Sequence, residues 1–201
     1  MKSSANQLPM KQLQFLDDYG YLILPHLFAQ TSIKQYLQQA KTLIDEETNE
    51  DQLKKIFPDF IEHPMIQQVC HHLLQSPGKL AGLRIRAPKP NAGQQSLHTD
   101  WDRAVSIGDY YSVTFILPLV DFLSHNGASR IVPGSHRSEK LPSKAMANSN
   151  HAHEQFITCP AGSLIIINSH AWHSATQNRS NERRYSLLAI YHRDQSDQLK
   201  F

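Results

Sequence analysis

Tyr110-Tyr-Ser-Val-Thr-Phe-Ile-Leu-Pro-Leu-Val120 is the stretch that decides the fold class. It is rich in β-branched and aromatic residues, which fit a pleated, half-buried surface. Pro118 has no N–H for a ladder, so this strand ends at an edge or a bend. Upstream, Leu83-Arg-Ile-Arg86 alternates apolar with charged. Downstream, Leu164–Ile167 and Tyr185–Tyr191 give two further strands. Asn126-Gly127 and Pro133-Gly134 are turn signals between them. Several short strands separated by turns predict a sandwich or barrel of the jelly-roll kind.

Before Gly82 the period changes. Ser32 and Gln35 have capping-box spacing, and Ile33, Tyr36, Leu37, Ala40, Leu43 and Ile44 follow at helical intervals. Asp45–Asp51 reads as the solvated end of that helix and a linker. Pro64 suits a first helical position, with Ile66, Val69, Leu73 and Leu74 on one face behind it. Cys70 falls in the same face pattern as a small apolar residue. This helix stops near Ser76-Pro77-Gly78. Gly20-Tyr-Leu-Ile-Leu24 is a short strand. The expectation is an α+β, mainly β, single domain over 1–201. Its mostly helical part (1–80) packs on one face of a jelly-roll core (81–201).

Composition narrows the function. The 201 residues are 40% hydrophobic and 19% charged, a globular balance. Twenty basic against eighteen acidic residues leave +2, too little field to attract nucleic acid or an anionic membrane. The longest apolar runs fall far short of the ~20 residues that span a bilayer. Met1–Gln7 is polar and lacks a signal core, and Cys70 and Cys159 make no disulfide scaffold. A reduced, cytoplasmic protein acting on a small molecule is expected. The outlier is histidine, with twelve copies.

Ser96-Leu-His98-Thr-Asp100-Trp101 offers an imidazole and a carboxylate two residues apart. On a strand both point to one side. Two histidines and one carboxylate around an ion leave positions open, the signature of non-haem Fe(II) oxygenases. A third ligand must come from Asn168-Ser-His170-Ala-Trp-His173, where a buried run leaves the sheet. Spacing does not choose between His170 and His173.

Here the sequence resembles the phytanoyl-CoA dioxygenase-like family of Fe(II)/2-oxoglutarate-dependent oxygenases. Phe15-Leu-Asp-Asp-Tyr-Gly20-Tyr-Leu-Ile-Leu, His98-Thr-Asp100-Trp101, Asn126-Gly127 through Pro133-Gly134-Ser135-His136, and Ala161 through Trp172-His173 carry the resemblance in order. Asn178 and Arg184-x-Ser186 complete it. The resemblance implies a double-stranded β-helix and iron on His98, Asp100 and His173. It implies Arg184 as the grip on the distal carboxylate of 2-oxoglutarate. It further implies that dioxygen and 2-oxoglutarate are consumed, with release of succinate and CO2, while a substrate is oxidised, most simply hydroxylated. Ascorbate is a customary support for such reactions. Asp100 argues against the halogenase branch, which has a small residue there.

The residue chemistry agrees. A guanidinium grips a carboxylate with two prongs. Arg184, Ser186, Leu188 and Ile190 share one strand face, so a charge and a hydroxyl face an otherwise apolar barrel. Ser174-Ala175 reverses the Gly-Ser order that follows the last histidine in many members. Thr114 and Gln95 are therefore the further candidate donors to the co-substrate. Trp101 and Trp172 read as packing beside the site. Arg84, Arg86 and Lys89 supply positive charge for an acidic substrate or for a strand surface. His151-Ala-His153-Glu154 reads as a loop that could line the substrate entrance. The competing classes are a jelly roll that binds without catalysis and a cupin-type metal enzyme that does not use 2-oxoglutarate. A zinc hydrolase would need a general base that the sequence does not place.

Overall fold

The structure, a computed structural model, describes residues 7–44, 49–143 and 151–194. The strands are β1 (Tyr21–Leu24), β2 (Gly78–Arg86), β3 (Gln95–His98), β4 (Ser112–Pro118), β5 (Ser129–Ile131), β6 (Gln155–Phe156), β7 (Leu164–Asn168), β8 (His173–Ala175) and β9 (Ser186–Arg193). They form a five-stranded sheet in the order β1-β7-β4-β9-β2 and a four-stranded sheet in the order β3-β8-β5-β6. The pairings within both sheets are antiparallel, and the fold is the jelly roll expected. Helices α1 (Met10–Tyr19), α2 (Gln30–Leu43), α3 (Glu50–Ile56), α4 (Pro58–Ile61) and α5 (Pro64–Leu74) complete it. Among the described residues no helix is long and apolar enough to cross a membrane.

Alternation sorts each strand of the large sheet into two cores. Val113, Phe115 and Leu117 of β4, Leu164 and Ile166 of β7, and Leu187 and Ala189 of β9 pack with helix residues such as Ile66, Val69 and Leu73. Ile116, Ile165 and Ile167 point the other way and meet Ile131 of the small sheet. Each such buried Leu, Ile or Phe side chain contributes about 1.5–3 kcal/mol. The helices thus seal one face of the large sheet, and the space between the sheets is left for the site. Pro118 closes β4, as its missing N–H requires.

The start of α2 differs from expectation. It begins at Gln30 after Ala29, with no side-chain cap, so Ser32 and Gln35 lie inside the helix. Tertiary contacts fix the start instead: Phe28 N–H donates to Gly162 O, and the Gln30 amide donates to Ala161 O. A capping box does exist, at Asn49 and Gln52, and it opens α3. Glu50 and Asp51 are therefore helical rather than linker, held because Leu53 and Phe57 are buried. Residues 45–48 of that stretch lie outside the described residues. α5 begins at Pro64 as expected.

The Pro133–His136 motif is structural. His136 Nε2 donates to Asp17 O at 2.9 Å, and Gly134 N–H donates to Tyr19 O. Gly20 lies against this ring with φ +77°, and a Cβ there would stand 2.4 Å from His136 Nδ1. Only glycine satisfies both demands.

Candidate metal centre

β3 and β8 pair with His98 opposite His173. This brings the two imidazoles together, with ring centroids 4.3 Å apart. Asp100 lies just past the end of β3, not on the strand, so alternation does not aim it. Its backbone N–H and that of Trp101 both donate to Ser169 O, at 3.0 and 3.2 Å, and fold the chain inward. Asp100 Oδ1 then lies 3.8 Å from His98 Nε2 and 3.5 Å from His173 Nε2. The ligand atoms of this trio all fall within 4.8 Å of one another.

The second nitrogens fix the tautomers. His98 Nδ1 is 2.7 Å from Ser96 O and His173 Nδ1 is 3.0 Å from Ala171 O. A carbonyl only accepts, so each Nδ1 carries the proton and each Nε2 lone pair faces the gap. The carboxylate is held as firmly. Thr114 donates to Asp100 Oδ2 at 2.7 Å. Thr114 and Ser169 are 2.9 Å apart, and Ser112 donates to Ser169 at 3.0 Å. Each hydroxyl has one hydrogen, so the order is Ser112 to Ser169 to Thr114 to Asp100. The Thr114 hydrogen is therefore spent on the carboxylate, where the sequence had offered it to the co-substrate.

Burial opposes charge on Asp100, but the charge and hydrogen bond of a protonated His173 foremost, then Thr114 and His98, hold the carboxyl well below its usual range. Burial lowers His173, but Asp100 in turn raises it, so an ion in the gap competes with a proton for the His173 Nε2 lone pair. Burial lowers His98, and His173 adds to that, so His98 is kept neutral. A carboxylate with imidazole lone pairs is a donor set suited to a divalent first-row ion.

Sequence spacing left His170 and His173 open, and the structure separates them. His170 Nε2 accepts the Tyr111 N–H at 3.0 Å, and its ring packs between Tyr110 and Trp101. Burial, then His136, push it down to about 4. It is a neutral core histidine.

Beyond the trio lies a cavity lined by Thr114, Ser186 and Leu188 of the large sheet, by Gln95 and Ala175 of the small sheet, and by Arg184, which stands two residues before β9 and not on it as the strand-face pattern had placed it. Arg184 is 5% exposed, its guanidinium sits 4.1 Å over the Phe122 ring, and its Nε has no hydrogen-bond partner among the described residues. Burial, then Arg86, lower it to about 10, so it stays charged. A buried cation without an anion is costly unless a ligand supplies one. Ser186 faces the same space and is only 3.5 Å from Arg86 O. Ser174 turns away from the cavity and donates to the buried Glu154 at 2.6 Å. Arg130 pairs with Glu154 at 3.2 Å, so the His151–Glu154 segment is tied outside the small sheet. Trp101 stacks on Tyr111, and Trp172 donates to Lys140 O, both as packing groups. Asn178 clasps the loop beside Arg184, donating to Pro88 O and Glu182 O. Ser112 and Ser169 escaped the sequence reading, since no motif marks a hydroxyl whose partner is 55 or more positions away.

A family model for phytanoyl-CoA dioxygenase (PhyH) matches residues 45–186, a span that includes His98, Asp100, His173 and Arg184. The chain belongs to the phytanoyl-CoA dioxygenase family. An uncharacterized protein of Mycobacterium tuberculosis is 35% identical over 103 residues, 51% of this chain and 35% of its own length. The dioxygenase andF of Emericella variicolor is 25% identical over 147 residues, 67% of this chain and 49% of its own. The chain thus spans about one third to one half of the curated relatives it matches. Among solved structures, HygX from Streptomyces hygroscopicus with nickel and 2-oxoglutarate bound has TM-score 0.78 at 15% identity, over 93% of this chain and 87% of that one. The epimerase SnoN in complex with Fe3+, alpha ketoglutarate and nogalamycin RO has TM-score 0.72 at 21% identity, over 92% and 83%. At these identities the likeness is one of fold.

Proposed function

We propose that this protein is an Fe(II)- and 2-oxoglutarate-dependent dioxygenase that hydroxylates a small organic molecule. One observation carries the reading: two imidazole Nε2 atoms and a carboxylate converge beside a buried arginine whose Nε has no hydrogen-bond partner among the described residues. His98, Asp100 and His173 hold the iron. Arg184 takes the distal carboxylate of 2-oxoglutarate, with Ser186 and Gln95 as polar neighbours. Thr114 acts through Asp100, keeping one carboxylate oxygen turned to the metal. Bound together, iron and the keto acid supply the oxidation, with dioxygen consumed and succinate and CO2 released. The chain supplies orientation and dryness, since Ile116, Ile167 and Leu188 line the rest of the cavity and offer no hydrogen bond.

Arg184 also separates this reading from its rivals. Next to a metal trio, a buried guanidinium suits a keto acid held to the ion by its other end, whereas a cupin-type enzyme working without a keto acid, or a jelly roll that binds without catalysis, would use it only for an acidic ligand of its own. The test is succinate release by the purified protein given Fe(II), ascorbate and 2-oxoglutarate. Slow release without added substrate is expected, abolished together with iron binding in His98→Ala. Full turnover in that variant, or no 2-oxoglutarate binding by the wild type, refutes the reading.

A further inference from the structure

The cavity carries more positive charge than the proposed cofactors neutralise. β2 and β9 pair so that Arg86 stands opposite Ser186 and Arg84 opposite Leu188. Cross-strand partners share a face, and both arginines line the cavity with Ser186 and Leu188. With Arg184 this sets three guanidinium groups around one space, and Asp100 is the sole carboxylate among the described residues that line it. The groups feel one another. Burial, then Arg84, lower Arg86 while Asp100 raises it, and Arg86 in turn lowers Arg184.

Arginine does not escape repulsion by losing its proton. Iron(II), the arginines and Asp100 together leave about four positive charges, and 2-oxoglutarate brings about two negative ones. Some positive charge therefore remains uncompensated in a half-buried site, where an unpaired cation is expensive. The adjacent forks of Arg84 and Arg86 are the part of this charge that Arg184 and the metal do not use.

We propose that Arg84 and Arg86 form a subsite for the acid group of the primary substrate, which is a small organic oxyanion. This rests on the functional reading above, which assigns Arg184 rather than Arg86 to 2-oxoglutarate. Planar forks match the oxygens of a carboxylate or a phosphate monoester, and a neutral amide lacks the charge to hold them.

The test is calorimetric titration of protein loaded with 2-oxoglutarate and Mn(II), which prevents turnover. The probes are butanoate, butyl phosphate and butanamide. At least one anion is expected to bind about tenfold or more tightly than the amide, and which one does so names the acid group. Arg86→Gln is expected to remove that preference while leaving 2-oxoglutarate affinity within about threefold. Arg84→Gln, at a more exposed side chain, is expected to reduce the preference and serves as the second variant. Absence of any anion preference in the wild type overturns the proposal. So does an Arg86→Gln variant that loses 2-oxoglutarate as fully as Arg184→Gln, because Arg86 then belongs to the co-substrate. If the wild type does not bind 2-oxoglutarate, the functional reading fails instead. The subsite is then judged by the same anion preference on protein carrying Mn(II) alone.

Discussion

The two faces of β4 are one residue apart in sequence and do opposite work. Val113, Phe115 and Leu117 face the helices and join the larger apolar core. Ser112, Thr114 and Ile116 face the space between the sheets, where the two hydroxyls lead to Asp100. The helix face is hydrocarbon, held by contact area that other apolar side chains of the same volume can supply. The inner face depends on single hydrogens pointing in set directions, which few side chains can replace. Alternation lets one strand anchor the fold on one side and aim the Asp100 carboxylate on the other. Stability and chemistry should therefore come apart under mutation.

The strongest challenge to that separation is Phe115→Ala. Phe115 is fully buried and meets Tyr191 edge-on at 5.6 Å. Its loss is expected to cost about 3–5 kcal/mol in urea unfolding. Metal affinity of the protein that remains folded should not move. A parallel fall in affinity would show that the two faces are coupled.

His170 sharpens the comparison through pH. Its folded value is pushed down to about 4 by burial, against about 6.5 in an unfolded chain. Between those values the unfolded state binds the extra proton, so stability rises with pH there. The contribution is complete above about pH 6.5 and lost as pH falls towards 4. Between pH 7 and pH 4.5 the wild type should lose on the order of 2–3 kcal/mol more than His170→Gln, by urea midpoints. Equal losses would mean that His170 does not govern acid sensitivity.

The smallest expected effect is on the inner face. Thr114→Val keeps the shape but frees Asp100 Oδ2, and metal affinity should fall by about 10- to 100-fold. Thr114→Ser should restore most of it. An unchanged affinity in Thr114→Val would make the hydroxyl chain incidental to the carboxylate's position.

Much of this was legible in the linear chain. β4, β7 and β9 announced themselves because their apolar runs are long enough to show a pattern. α5 showed its start at Pro64 and its buried face. The short strands β5, β6 and β8 did not, since two or three residues hold too little periodicity to read, and four-residue β3 is polar where β1, of the same length, is an apolar run. The α2 start misled for a different reason. Ser32 and Gln35 offered a local cap, but long-range bonds from Phe28 and Gln30 set the first turn earlier. α3 shows the converse: Asn49, within the charged Asp45–Asp51 stretch, and Gln52, just beyond it, form a true cap.

By itself the sequence determined the kind of fold and the ligand types at hand, because strand patterns, turn residues and motif spacing are properties of neighbours along the chain. It could not choose His173 over His170 by spacing, place Asp100 beyond its strand, or find Ser112 and Ser169. Those were decided in three dimensions, by Val113 pairing with Asn168 and His98 with His173. A hydrogen bond between residues 55 apart depends on strand register, and register exists only once the sheets have formed.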